Sequence, residues 1–189
     1  MNIYDTIMTR RTIRKFKQEP IARDLLKKLI DAARMAPTGA NRQPLSFAIV
    51  TDKELCNKIF PLTSWAGYLK GTYTPSESER PTAYIAVFTD TENKDSSETA
   101  AGAAVENILI LAHSEGIGSC WMGAINREKI PEIIGSPKDK YLLYIVALGY
   151  PAESPVPAPY TDDVKYYLDK QNVLHVPKKS IDDVLIINS

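Results

Sequence analysis

Four cations lie close together in the segment TRRTIRKF near the start of the chain, namely Arg10, Arg11, Arg14 and Lys15. Thr12 lies among them and adds a neutral hydrogen-bond donor. Because guanidinium groups bind phosphate oxygens through paired hydrogen bonds, this segment is a candidate site for an anion. Short basic runs are also common as solvated loops, and the sequence alone leaves both interpretations open.

A second group of polar residues forms the segment PTGANRQP at residues 37–44. Its proline, glycine and asparagine residues predict an ordered loop. Asn41 and Gln43 each carry a donor and an acceptor, which suits the edge of a heterocycle that displays C=O and N–H groups. A loop without a ligand is the alternative interpretation.

The motifs of several other chemistries are missing from the sequence. It has no GxGxxG after a predicted strand, no P-loop and no GxSxG elbow. His113 and His175 stand apart, so we predict no histidine metal cluster and no nucleophile–histidine pair. Cys120 could act as a nucleophile, but its place beside Trp121 in an apolar stretch favours an inert thiol. An enzyme with this sequence would therefore take its chemistry from a cofactor.

The composition limits the possible partners. The 189 residues contain 23 Lys and Arg and 23 Asp and Glu, so the net charge of zero predicts no broad electrostatic attraction to nucleic acid. Two cysteines without CxxC spacing argue against a disulfide framework or a zinc site. The sequence shows no signal-peptide pattern and no apolar run of about 20 residues. We therefore expect a single-domain cytoplasmic protein that does not associate with a membrane.

The elements that must position these residues are centred on residues 95–123. Asp95 and Glu98 have the spacing of a helix start, in which each carboxylate accepts from a free backbone amide. The helix that follows is apolar around nearly its whole circumference, which is typical of a buried helix. Gly116 should end it, and residues 117–122 should form a short strand.

Other elements follow from the periodicity of apolar residues. Amphipathic spacing predicts a helix at residues 20–35, which Pro37 stops. Further predicted helices are residues 2–8, Lys53–Ile59 and 127–134, and the predicted strands are Leu45–Val50, 82–89 and 141–148.

Residues 61–81 form a long excursion without a clear period, and such loops in compact domains are usually functional or mobile. Trp65, Tyr68 and Tyr73 lie in it and could give a planar substrate a wall to stack on. Packing of these rings against the sheet is an equal alternative.

The C-terminal part of the chain is predicted to be an arm. Residues 149–159 are rich in proline, so we expect them to run extended without regular structure. Residues 160–189 carry many apolar side chains that must dock on something, and a second copy of the protein is one candidate.

Four segments, in this order, resemble the nitroreductase family of FMN-dependent oxidoreductases: TRRTIRKF, APTGANRQPLSF, AAVENILILAHSEGIGSCWMGAI and ALGYPAE. The resemblance covers residues 2–155. It implies an α+β, three-layer fold with a mostly antiparallel sheet covered by helices, in an intertwined homodimer with two FMN sites at the interface. It also implies an FMN-binding domain at residues 1–159 and an arm at residues 160–189 that packs on the domain or on the partner chain.

The same resemblance assigns roles to individual residues. Arg10, Arg11 and Thr12 would hold the phosphate and ribityl end of FMN. Arg14 would lie at the pyrimidine edge, and a backbone N–H near Met122 would face the hydride-accepting nitrogen. The residues that would lie along the ring are Cys120, Trp121, Met122 and Gly123. The loop residues that would reach the flavin of the other chain are Pro37, Thr38, Gly39, Asn41 and Gln43.

The implied activity is transfer of hydride from NADH or NADPH to a nitroaromatic, quinone or related planar acceptor in a ping-pong cycle, with Trp65 and Tyr68 as substrate contacts. A flavin carrier or sensor, and a flavin-modifying enzyme of the same fold, are the alternatives. One feature departs from the family pattern, because no Arg or Lys follows GYPAE at the place that usually reaches the phosphate. Lys165 is the nearest substitute, so a lower FMN affinity is expected.

Overall fold

The computed structural model describes residues 2–69, 71–93 and 97–186, and no helix within them is long and apolar enough to cross a membrane. Its helices are α1 (Ile3–Thr9), α2 (Arg23–Arg34), α3 (Lys53–Ile59), α4 (Glu98–Ser114) and α5 (Lys129–Ile134). Its strands are β1 (Leu45–Val50), β2 (Ala83–Asp90), β3 (Gly118–Met122), β4 (Lys140–Gly149), β5 (Val156–Pro159), β6 (Tyr167–Leu168) and β7 (Leu174–Lys178). The helix predicted from residue 20 begins three residues later, because Ile21 enters the core as part of the chain that leads into it.

The main sheet has the order β1–β2–β4–β3 and is antiparallel throughout. Side chains alternate between its faces, as in any strand. Ile85 and Val87 of β2 pack with α2 and α4, whereas Tyr84 and Ala86 pack with α3 and α5. The prediction of an α+β fold, with helices covering a mostly antiparallel sheet in three layers, is confirmed.

The start of α4 differs from the sequence prediction. The helix begins at Glu98, and Asp95 lies outside the described residues. The hydroxyl of Ser97 makes no capping bond; it is hydrogen-bonded to the hydroxyl of Thr89 at 2.8 Å, which ties the start of α4 to β2. Gly116 follows the helix with φ +75°, a left-handed conformation that glycine adopts without strain.

One side of α4 is fully buried against the sheet and α2. The buried residues of the helix are Ala100, Ala101, Ala104, Val105, Ile108, Leu109 and Ala112. Its other side is only half-buried in the single chain, and its apolar members are Gly102, Ala103, Ile110 and Leu111. The helix was predicted to be buried on all sides, and within one chain it is fully buried on one side and half-buried on the other.

Residues 12 and 13 lie along the outer edge of β3. Thr12 forms a parallel bridge with Ser119, and the amide of Ile13 donates to the carbonyl of Ser119 at 2.9 Å. The absence of a side chain at Gly118 allows this approach, because a Cβ there would lie 2.9 Å from the Cβ of Ile13. The basic segment is thereby held on the sheet instead of standing in solvent.

The proline-rich segment corrects a prediction, because part of it is regular structure. Val156–Pro159 forms β5, which pairs in parallel with β7, and β6 pairs with the other side of β7. β5 is an edge strand of this small sheet, the position at which proline's missing N–H does no harm.

The small sheet docks the C-terminal residues on their own chain. Leu174 of β7 forms a buried cluster with Ala66 and Tyr73 of the excursion at residues 61–81, and Tyr166 packs against it. The excursion therefore acts as a support for the C-terminal sheet, in addition to any role at a binding site.

The approach of the basic segment to β3 can be tested through Gly118. Replacement Gly118→Ala should lower the free energy of unfolding by about 1–3 kcal/mol, because Ile13 carries the clashing atom close to its backbone and cannot swing away. The control is Gly67→Ala, since a Cβ at Gly67 meets nothing within 4 Å. Urea denaturation of both variants measures the difference, and equal stabilities would contradict the close contact.

Candidate functional site

The guanidinium of Arg11 is only partly hydrogen-bonded by the part of the chain that the structure describes, since its Nη1 donates to the carbonyl oxygen of Arg10. Its Nε is buried and has no hydrogen-bond partner among the described residues. Burial lowers the pKa of Arg11 below its ordinary value, and the neighbouring charge of Arg10 lowers it further. Arg10 itself lies 3.6 Å from a carboxylate oxygen of Glu106 on α4. Of the two arginines, Arg11 is the one whose charge an anion would stabilise.

A cavity of about 240 Å³ adjoins Arg11. Thr9 and His113 line it, with their hydroxyl and Nε2 atoms 2.9 Å apart. Burial lowers the pKa of His113, and Arg10 and then Arg11 add to the effect. The Thr9 hydroxyl donates its proton to the carbonyl oxygen of Asp5 at 2.6 Å and therefore accepts from His113. The half-buried guanidinium of Arg11 is the group in this lining that suits a phosphate, and the carboxylate of Glu153 lines the same cavity. Lys165, the expected substitute for a C-terminal cation, is paired at 3.6 Å with Asp163 and is not part of the lining.

Arg14 lies farther along the same segment, beneath an aromatic pair. Its guanidinium carbon is 4.8 Å from the centre of the Tyr166 ring, and Tyr166 lies 5.0 Å from the ring of Tyr68. The amide of Tyr68 donates to the hydroxyl of Tyr166 at 3.3 Å. Tyr166 was not predicted as a site residue, because its only signal in the sequence was the general apolar character of the C-terminal residues.

The β3 residues divide between the core and the surface. Cys120 and Met122 are buried in the cluster that packs with α3 and α5. Trp121 points the other way, is 38% exposed, and lies edge-on to Tyr144 at 5.2 Å. Because β3 pairs with the basic segment through Thr12, these residues and the arginines belong to one continuous surface region. Only the backbone of Cys120 and Met122 is available to a ligand on that side.

The loop at residues 37–44 has an unusual backbone. Ala40, Asn41 and Gln43 all have positive φ, at 51°, 53° and 48°. Residues other than glycine adopt this backbone conformation at a cost in free energy, and such strain is frequent at binding sites. The amide of Gln43 donates to the hydroxyl of Thr38 at 3.1 Å, which holds the loop in this shape.

The loop lies at the opposite end of α4 from the arginine cavity. Pro37, Thr38, Gly39 and Gln43 line a cavity of about 450 Å³ together with Ala100 near the start of the helix. His113, near the end of the helix, lines the arginine cavity. The axial distance between Ala100 and His113 is about 20 Å for a regular helix. A single chain therefore does not bring the two predicted halves of the site together.

Trp65 corrects the prediction of a substrate wall. It is 8% exposed, stacks on Phe60 at 5.5 Å and donates its indole N–H to the hydroxyl of Thr63 at 3.0 Å. Tyr73 is also buried. Trp65 thus packs against the main sheet, and Tyr73 packs with Leu174 of the C-terminal sheet, while Tyr68 remains 55% exposed beside Tyr166.

Comparison with known proteins gives a consistent result. The sequence profile described as "Nitroreductase family" matches residues 7–150. A putative NADH dehydrogenase/NAD(P)H nitroreductase of Archaeoglobus fulgidus is 33% identical over 155 residues, which cover 78% of this chain and 84% of that protein. A nitroreductase family protein of Clostridium novyi, solved as a crystal structure, is 31% identical with a TM-score of 0.67, covering 80% of this chain and 87% of that one. The structure of an FMN-dependent nitroreductase of Clostridium difficile is 25% identical with a TM-score of 0.67, covering 83% and 91%.

Both cysteines should resist thiol reagents while the protein is folded. Cys56 and Cys120 are buried, and burial raises the pKa of each thiol to about 11. At pH 8 only about one thiol in a thousand is then ionised, and the thiolate is the reactive form. Ellman's reagent should label neither cysteine at pH 8 until urea unfolds the chain. Fast labelling of native protein, abolished by Cys120→Ala, would instead support a thiol-based activity.

Proposed function

Because the chain belongs to the nitroreductase family, as the sequence resemblance predicted, we infer that it is an FMN-dependent oxidoreductase. It takes hydride from NADH or NADPH and reduces nitroaromatic, quinone or related planar acceptors in a ping-pong cycle. The observation that carries this proposal is the buried, unpartnered Nε of Arg11 beside the cavity that Thr9 and His113 line. Such a group fits the phosphate of FMN, and the names of relatives and neighbouring structures support the cofactor and the nicotinamide donor.

The residues of one chain fit one side of FMN. Arg10, Arg11 and Thr12 would hold the phosphate and ribityl end, and Arg14 would lie at the pyrimidine edge. When bound, FMN supplies the two-electron chemistry. The positive charge of the Arg14 guanidinium would favour the reduced, anionic form of the cofactor and raise its potential. Gly123 and the backbone of β3 would lie along the ring, and no protein acid is required.

The other side of FMN requires a second copy of the chain. Thr38 and Gln43 line a cavity with Ala100, which lies about 20 Å along α4 from His113 of the arginine cavity, too far for both cavities to hold the same ligand within one chain. The half-buried apolar side of α4 is one surface that a second copy would cover. A second is the outer side of α1, where Ile3 is 73% and Met8 53% exposed. We therefore assign the loop at residues 37–44 to the flavin of the partner chain.

The surface beside Arg14 is the place for the acceptor. Tyr68 is exposed and lies against Tyr166, which itself covers the guanidinium. Two rings at the mouth of the site suit a flat, conjugated acceptor, since aromatic faces stack on one another. The hydride donor, NADH or NADPH, and the planar electron acceptor would bind at this side in turn, as a ping-pong cycle requires.

The proposal predicts that the purified protein is yellow, or becomes yellow with added FMN. The absorbance of the bound flavin near its visible maximum should fall when NADH or NADPH is added without oxygen, and return with a quinone or nitroaromatic acceptor. Bound flavin that no nicotinamide bleaches would favour the carrier or flavin-modifying alternatives. A chain that binds no FMN would contradict the proposal.

A matched pair of variants tests the phosphate assignment in the same assay. Arg11→Ala should weaken FMN binding tenfold to hundredfold, roughly the loss of a charge-assisted hydrogen bond of about 1.5–3 kcal/mol. Arg23→Ala removes the same charge from an exposed position at the start of α2 and should leave FMN affinity within about twofold. Equal effects of the two substitutions would show that net charge, and not the Arg11 cavity, governs binding.

A further inference from the structure

The backbone amides of residues 13–17 all have acceptors. Three of these acceptors are main-chain carbonyls: Ser119 for Ile13 at 2.9 Å, Glu79 for Phe16 at 2.9 Å, and Tyr150 for Lys17 at 2.8 Å. The two amides between them, of Arg14 and Lys15, point instead to a side chain. Both donate to the same carboxylate oxygen, Oε1 of Glu153, with the Lys15 amide at 3.2 Å.

The second oxygen of Glu153 is also occupied. It accepts the hydroxyl of Tyr73, a side chain that is 5% exposed. Burial raises the pKa of Tyr73, and its hydrogen bond to Glu153 raises it further, so the hydroxyl keeps its proton and stays a donor. The Lys15 side chain also contacts Tyr73. Its ammonium lies 5.1 Å from the centre of the Tyr73 ring and 3.2 Å from a carboxylate oxygen of Glu79.

The position of Glu153 links three separate parts of the chain. It follows β4, its carboxylate reaches the basic segment, and through Tyr73 it reaches the excursion at residues 61–81. The two amides that converge on this oxygen belong to the peptide groups on either side of Arg14, and the hydrogen bonds fix the orientation of both. The direction in which the Arg14 side chain leaves the backbone is fixed with them.

We propose that Glu153 is a positioning residue for Arg14, which it holds with its guanidinium beneath Tyr166 and directed to the pyrimidine edge of the flavin. The inference rests on the proposed function and assigns to this carboxylate a role in setting the redox behaviour of the cofactor. Without Glu153, the peptide groups on either side of Arg14 lose their acceptor and can turn. The guanidinium then no longer offsets the charge that reduction adds to the cofactor.

Substitutions that separate length from charge test this role. Glu153→Gln keeps the length of the side chain and an acceptor oxygen. Glu153→Asp keeps the charge, but its side chain is shorter by one methylene, so the carboxylate lies farther from the two amides. The measured quantity is the ratio of FMN affinities in the reduced and oxidised states, obtained from the midpoint potential of the bound flavin and from titration of apoprotein with FMN. Glu153→Asp should lower this ratio about tenfold, a potential shift of about 30 mV for two electrons, and Glu153→Gln should change it by less than about threefold.

The controls distinguish positioning from other roles. Arg14→Ala should lower the ratio at least as much as Glu153→Asp, and the double variant should lower it no further, because both act through one guanidinium. An unchanged potential in Glu153→Asp, a larger effect in Glu153→Gln than in Glu153→Asp, or additive effects with Arg14→Ala would overturn the proposal. Failure of the wild-type protein to bind FMN or to be reduced by NADH or NADPH would instead contradict the proposed function, so the two failures are distinguishable.

Discussion

The pairing of the basic segment with the edge of the sheet is the contact on which the candidate site depends. Thr12 bridges to Ser119, and the amide of Ile13 donates to the same residue. This pairing is possible because Gly118 has no side chain at the place where Ile13 lies. The four cations of this segment repel one another, and without the pairing the segment would extend into solvent. The pairing holds it in an ordered position beside β3. The arginines and the Trp121 surface then belong to one region, although they are more than 100 residues apart in sequence.

Short-range patterns made much of the fold predictable. The strand Leu45–Val50 and the helix Lys53–Ile59 were predictable to the residue, because apolar runs, an Asp52 cap and turn residues act locally. The segments that resemble the family also located the arginines and the loop at residues 37–44. In each case the information lies within a stretch of about ten residues, which a single sequence displays directly.

Features that depend on distant contacts were not predictable. The burial of Trp65 is decided by Phe60 and the fold of the excursion, and the place of Tyr166 above Arg14 is decided by the C-terminal sheet. The strand in the proline-rich segment was missed because proline excludes a central strand but not an edge, and edge positions are set by topology. Glu153 carried no signal as a site residue, since its acceptor role exists only once residues 14 and 15 lie beside it.

Helix α4 separates the two proposed halves of the site. Its buried side holds the sheet, and its length keeps the loop at residues 37–44 away from the arginine cavity. In the proposed two-chain site each half is incomplete in one chain, and the strained loop and the unpartnered Nε of Arg11 suit a ligand shared between copies. A partner that packs against the open side of α4 would supply the missing half to both cavities at once, as a twofold axis requires.

Mixed dimers test this two-chain site most directly. One chain would carry Arg11→Ala, and the other Asn41→Gly with Gln43→Gly, replacements that keep the positive φ of both loop positions without strain. Doubly tagged heterodimers contain one site with both halves intact and one with neither. The account predicts that they recover about half of the FMN and of the turnover of the wild-type dimer, whereas each variant homodimer has little of either. Heterodimers as deficient as the two homodimers would contradict it, because each site would then be built from a single chain.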